Sequence, residues 1–96
     1  LEKEFQKKLK KELEEQYPGI IVQKMESYTQ GFPDLLLLYN DKWAMLECKK
    51  DKDAEHQPNQ DTWVDILNDM SFSAFIYPEN KEEVLGDLQR AFRSDG

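Results

Sequence analysis

Cysteine and histidine are each present only once in these 96 residues, as Cys48 and His56. A lone cysteine excludes an internal disulfide and is consistent with a reducing compartment. With a lone histidine beside it, the composition argues against a zinc site. Cys48 therefore reads first as a small buried hydrophobe, and His56 as a solvated loop histidine, with a phosphate-contacting or proton-transfer role as the alternative. No apolar run approaches the roughly 18 residues that a membrane helix needs, and no signal-peptide pattern is seen. The expectation is a cytoplasmic, intracellular protein with no membrane partner. Basic residues are also scarce: 13 Lys and Arg against 20 Asp and Glu, a net charge of −7. The deficit is uneven. Residues 1–52 carry ten Lys against ten acids, while residues 53–96 carry Lys81, Arg90 and Arg93 against ten acids. Any surface that meets a polyanion must lie in the first half. No glycine-rich phosphate loop, low-complexity segment or internal repeat is visible.

What is present is a single globular domain over 1–96, with 39% hydrophobic and 34% charged residues. Its central stretch is Gly31 to Lys50. Leu35 to Tyr39 is a short apolar run of the kind a strand buried on both faces shows. Asn40-Asp41 is a two-residue turn signal, and Trp43 to Leu46 begins a second strand. A hairpin folds the start of its first strand against the end of its second. Asp34 should thus lie near Glu47 and Lys49, which sit two apart and share a face.

The flanking elements follow from periodicity. Leu1, Phe5, Leu9 and Leu13 form one stripe of a helix over 2–16, stopped by Pro18-Gly19. Lys7, Lys8, Lys10 and Lys11 occupy much of its remaining surface, either as a solvated face or as a DNA contact. Ile20 to Met25 reads as a strand and Asp51 to Asn59 as a polar loop with room to move. A second helix is expected over 57–68 with Pro58 in its first turn, packed through Trp63, Ile66, Leu67 and Met70. Gln60 would sit at the edge of that face, where its amide can bond a water or a phosphate oxygen. Ser73 to Tyr77 is a further strand, and Asn80 is the expected N-cap of a closing helix with Val84, Leu85, Leu88 and Phe92 buried. The fold class is α/β, in the order α-β-β-β-α-β-α, with a mixed central sheet flanked by helices.

The convergence of Asp34, Glu47 and Lys49 has a chemical use. Two carboxylates make an all-oxygen site for a hard cation such as Mg2+, which keeps waters and leaves room for a phosphate oxygen. A neighbouring ammonium can orient a nucleophilic water or offset transition-state charge. The competing reading is a pair of surface carboxylates at strand ends with a solvated lysine.

Pro33-Asp34 followed by Glu47-Cys48-Lys49 resembles the PD-(D/E)xK signature of the restriction-endonuclease-like nucleases. More narrowly, Gly31-Phe32-Pro33-Asp34, Leu46-Glu47-Cys48-Lys49 and the downstream Gln60 resemble the VRR-Nuc family, written GxPD, ExK and a following helical glutamine. The resemblance covers the chain from Glu2 to about Tyr77. It implies a restriction-endonuclease-like core and a metal-dependent DNA endonuclease. Asp34 and Glu47 would bind Mg2+ or Mn2+, the Cys48 backbone carbonyl would be a further ligand, and Lys49 would position water with Gln60 beside it. Glu2, four residues before Gln6, matches the family's early helical glutamate and is a further candidate metal ligand. Lys7, Lys8, Lys11, Lys50 and Lys52 are the candidate DNA contacts. The implied substrate is branched DNA such as a four-way (Holliday) junction, cut by a homodimer with two sites on opposite strands. A flap, nicking or single-strand nuclease of phage or mobile-element type is the alternative within enzymes. A catalytically silent DNA- or protein-binding domain is the alternative of another class, which the acidic second half favours.

Overall fold

The structure, a computed structural model, describes residues 2–93. The chain runs α1 (Glu2–Gln16), β1 (Ile21–Lys24), β2 (Leu35–Tyr39), β3 (Lys42–Cys48), α2 (Gln60–Met70), β4 (Ser73–Ile76), a 3-10 turn at Pro78–Asn80 and α3 (Lys81–Arg93). The expected α-β-β-β-α-β-α order and mixed, helix-flanked sheet are observed. Leu1, expected at the head of the first helix's stripe, lies outside the described residues. Among the described residues no helix is long and apolar enough to cross a membrane.

The sheet order is β1-β2-β3-β4. The β1–β2 and β2–β3 ladders are antiparallel, and β3–β4 is parallel with α2 as its crossover. Asn40 takes the left-handed φ of +55° that lets two residues close the β2–β3 hairpin. The register pairs Leu35 with Leu46 and Leu37 with Ala44. Continued by one residue, it sets Asp34 opposite Glu47.

One sheet face carries the core. Val22, Leu35, Leu37, Ala44, Leu46, Cys48 and Ile76 alternate inward against Leu9 and Leu13 of α1 and Val84, Leu85 and Leu88 of α3. Truncating a fully buried leucine such as Leu37 or Leu46 would cost about 2–5 kcal/mol, from lost transfer energy plus the cavity left behind. Cys48 is enclosed here, and burial drives its thiol well above the usual range, so it packs as a small hydrophobe. Tyr17, Tyr39 and Phe92 pack edge-on or tilted at the hairpin-turn end, remote from Asp34.

The other face is only half covered, and here the structure corrects the sequence. α2 lies over β3 and β4, so β2 is not buried on both faces: Leu35 and Leu37 are buried, whereas Leu38 is exposed. The buried side of α2 is Gln60, Val64 and Leu67. Of the expected stripe, Trp63 rests edge-on against Phe32, and Ile66 and Met70 stand 43% and 70% exposed. Both lie off the buried side of α2, open to solvent. The helix also starts at Gln60 rather than Gln57, because Asn59 adopts φ 72° and leaves Pro58 in the preceding turn. Asn80 directly precedes α3, but its side chain turns back: Oδ1 accepts from Tyr77 N at 2.8 Å and Nδ2 donates to Phe75 O at 3.0 Å. It braces the link from β4 rather than the first turn of α3.

Candidate active site

The backbone before β2 is shaped to present Asp34. Gly31 has φ +86°, a left-handed conformation that glycine takes without strain. Pro33 is fully buried and holds φ just ahead of the carboxylate. Met25 N donates to the Asp34 carbonyl at 2.7 Å, extending the β1–β2 pairing to the site. The carboxylate itself is half-buried. Its Oδ1 accepts from Cys48 N at 3.1 Å and its Oδ2 from Gln6 Nε2 at 3.3 Å.

Glu47 and Lys49 leave β3 on the α2 side, and each is only 6% exposed. Gln60, buried at the first position of α2, joins them. Its Oε1 accepts from Lys49 Nζ at 2.7 Å and from Gln57 N at 2.7 Å, while its Nε2 donates to Glu47 Oε2 at 3.1 Å. Two donors converging on Oε1 settle the orientation of the amide. Lys49 Nζ also donates to the Glu55 carbonyl at 3.1 Å, which leaves one of its three N–H groups for a water or phosphate oxygen. The strand-end alternative, solvated groups with no fixed relation, does not describe this arrangement.

The electrostatics follow from burial. Asp34 is raised to about 6, first by burial and further by Glu2, against the lowering hydrogen bond from Cys48 N–H. Glu47 is raised to about 8, first by burial and then by Asp34, against the pull of Lys49. Two acids that resist ionising together are a receptor for positive charge. Their chemistry fits a hard cation that keeps most of its waters, as Mg2+ does with one or two carboxylates. Pro33 has no N–H, so the strand across from Cys48 offers its carbonyl no ladder donor at that position, and the carbonyl suits a further oxygen ligand. Among the described residues no group of three or more His, Cys, Asp and Glu side chains is placed as a metal cage. Glu2 is exposed in the first turn of α1 and acts on Asp34 and Glu47 through its charge, whereas Gln6 makes the direct contact.

The loop before α2 is tied down rather than loose. Asp51 Oδ1 accepts from Asp53 N at 2.9 Å, Glu55 O holds Lys49, and Gln57 N holds Gln60. His56 stacks on Phe75 with ring centroids 4.0 Å apart, and its Nδ1 lies 2.9 Å from Asp61 Oδ1. Phe75 pairs with Glu47 across β3 and β4. His56 therefore stands beside the site with its ring held on two sides, which the loop reading did not foresee. Of the five candidate DNA-contacting lysines, Lys7, Lys8 and Lys11 are exposed on α1, and Lys50 and Lys52 are exposed just past Lys49. Gln6 and the Glu55 carbonyl were outside the sequence reading of the site. The spacing of Gln6 from Glu2 was the sole signal for the first, and a backbone carbonyl leaves none. No protein-family model, no curated protein and no solved structure matches this chain.

Proposed function

We propose that the chain is a metal-dependent DNA endonuclease of the PD-(D/E)xK type, similar to VRR-Nuc domains. The observation that carries this reading is the linked group at one end of the β2–β3 hairpin. Asp34 faces Glu47 by register, and Gln60 joins the Glu47 carboxylate to the Lys49 ammonium. Asp34 and Glu47 hold Mg2+ or Mn2+, with the Cys48 carbonyl as a further ligand. A divalent cation held by these residues would supply polarisation of the phosphodiester and a water of lowered pKa. Lys49 orients the attacking water and offsets charge as the bond to the leaving oxygen breaks. Gln60 keeps Lys49 aimed and Glu47 in place, so little rearrangement is needed when substrate arrives.

The preferred substrate is branched DNA, including four-way junctions, because a domain of this size has little surface for base readout and recognises shape and backbone. A homodimer supplies two sites for paired incision. What supports it is the uncovered half of the sheet, where Ile21 and Leu38 are exposed along with Ile66 and Met70 of α2. An intracellular setting accords with the lone buried thiol. The silent-domain reading requires no buried ammonium held by the Gln60 amide and the Glu55 carbonyl, and such a group is costly to keep without a use. The test is release of labelled fragments from DNA in Mg2+ or Mn2+, absent in EDTA and absent in Asp34→Asn.

A further inference from the structure

We infer that the cleft between α1 and the β1–β2 ladder is a track for one unpaired strand of nucleic acid, leading that strand to Asp34 and Glu47. The inference rests on the nuclease reading only for what happens at the end of the track. The cleft has a volume of about 620 Å3. Lys3, Lys7 and Lys10 line its helix wall and Lys24 its strand wall, with Val22 and Leu35 between them. Against these four cations stands one acid, Glu4, a local charge of +3 in a chain of net charge −7. The chain's scarce positive charge is thus gathered where it can act on a polyanion.

Spacing and shape select the form of that polyanion. Lys3, Lys7 and Lys10 follow at i, i+4 and i+7, so they share one side of α1, separated along its axis by about 6 and about 4.5 Å. Such a row meets successive phosphates of a single backbone, while the aliphatic stems of the lysines, lying over buried Val22 and Leu35, receive sugars and base faces. A duplex presents a broad cylinder that cannot enter between a helix and a strand, whereas a single strand can. Charged grooves that follow one backbone are the usual device for unpaired strands. Among the described residues no aromatic side chain lines this one, so binding depends on charge, is indifferent to sequence and is sensitive to salt. Lys8 and Lys11 do not line the cleft, which separates the basic helix into a working side and a solvated side.

The cleft meets the candidate active site at Asp34. Gln6 lines it and also donates to Asp34 Oδ2. Leu35 of its floor follows Asp34 in the chain, and Lys24 is the cross-strand partner of Leu35. A strand lying in the track arrives at the two carboxylates, so cutting falls where a duplex gives way to an unpaired strand. This narrows branched substrates to those that offer a free or readily opened strand at the branch.

The test is fluorescence anisotropy of a labelled oligothymidine and of a hairpin duplex of equal length, in EDTA so that nothing is cut, over a salt series. The wild type should bind the single strand roughly tenfold tighter than the hairpin. Its log K should fall with log salt at a slope of about −2, as three phosphate contacts to a single strand require. The combined Lys3→Ala, Lys7→Ala and Lys24→Ala variant should lose about tenfold or more in affinity and most of that slope. Lys42→Ala, at the hairpin turn, should bind as the wild type does. Lys3, Lys7 and Lys24 are exposed and Lys42 is half-buried, and an unchanged Tm verifies that each variant is folded. Equal or tighter binding of the duplex, wild-type affinity in the triple variant, or an equal loss in Lys42→Ala overturns the track. So does equal displacement of the strand by polyglutamate of matched charge. Metal-dependent cutting by the wild type alongside indifferent lysine variants would sink the track and leave the nuclease. Strand binding lost in those variants, without cutting by the wild type, would do the reverse.

Discussion

A β-carbon on Gly31 would lie 2.8 Å from the backbone nitrogen of Gln60, and closer still, at 2.6 Å, to the carbonyl oxygen of Pro58. The segment that presents Asp34 is therefore seated directly on the turn that starts α2 and presents Gln60. One missing side chain sets the spacing between the two halves of the site.

Gly31→Ala should accordingly be costly twice over. Its φ of +86° penalises any side chain, by about 1–3 kcal/mol, and the backbone of 58–60 must also move. Gly19 has φ +90° but open space around it, so Gly19→Ala should show the conformational cost alone. Thermal unfolding of the two variants checks this. Gly31→Ala should melt well below Gly19→Ala and lose metal-dependent cutting, and equal Tm values would refute the seating of α2 on Gly31.

Gln60→Leu removes the shared partner of Lys49 Nζ, Glu47 Oε2 and Gln57 N. Buried groups left unpaired cost about 1–3 kcal/mol, or a fall in Tm of about 4–8 °C per kcal/mol. Cutting should drop by roughly a hundredfold. A variant that keeps wild-type stability would show that the three contacts are incidental.

The pH dependence has a definite sign. Asp34 and Glu47 are raised in the folded chain, to about 6 and about 8, from 3.8 and 4.5. Between the unfolded and folded values the native state binds more protons than the unfolded state, so stability falls as pH rises. Their contribution is fully present below about pH 4 and is lost by about pH 8. Without divalent cations, Tm should be higher near pH 5 than near pH 8, and Glu47→Gln should flatten the profile. Mn2+ displaces the same protons, so its thermal stabilisation should grow with pH across this window. A Mn2+ effect equal at both ends, and unchanged in Asp34→Asn, would remove the two carboxylates as ligands.

Ile66 and Met70 sit off the buried side of α2 and are exposed. Ile66→Asp with Met70→Asp should convert a dimer to a monomer in sedimentation while leaving Tm of the isolated chain within about 1 kcal/mol of stability. A wild type that sediments as a monomer at every concentration would remove the homodimer from the proposal.

Much of this was legible before the structure. Strand alternation has a period of two, so the hairpin register alone put Asp34 beside Glu47 and placed Lys49 on the same face. Likewise, Phe5, Leu9 and Leu13 could belong only to a helix. The buried side of α2 was not legible in the same way. Trp63, Ile66 and Met70 are more hydrophobic than Gln60, yet the half-covered sheet leaves two of them outside and buries the amide. Asn59 was similarly opaque, since nothing local announces a left-handed residue that delays a helix past Pro58. The hydrogen bond from Gln6 to Asp34 spans 28 residues, and the support from Glu55 comes through its backbone. Long-range and main-chain contacts of this kind exist only once the sheet and helices are assembled.

The most direct measurement is cleavage of labelled four-way junction, single-strand flap and linear duplex DNA in Mg2+ and in Mn2+, comparing wild type with Glu47→Ala. The account predicts metal-dependent cuts at the branch of the junction or at the base of the flap, little cutting of linear duplex, and no products from Glu47→Ala. Absence of cutting on every substrate in both metals, or cutting that survives Glu47→Ala, would contradict it.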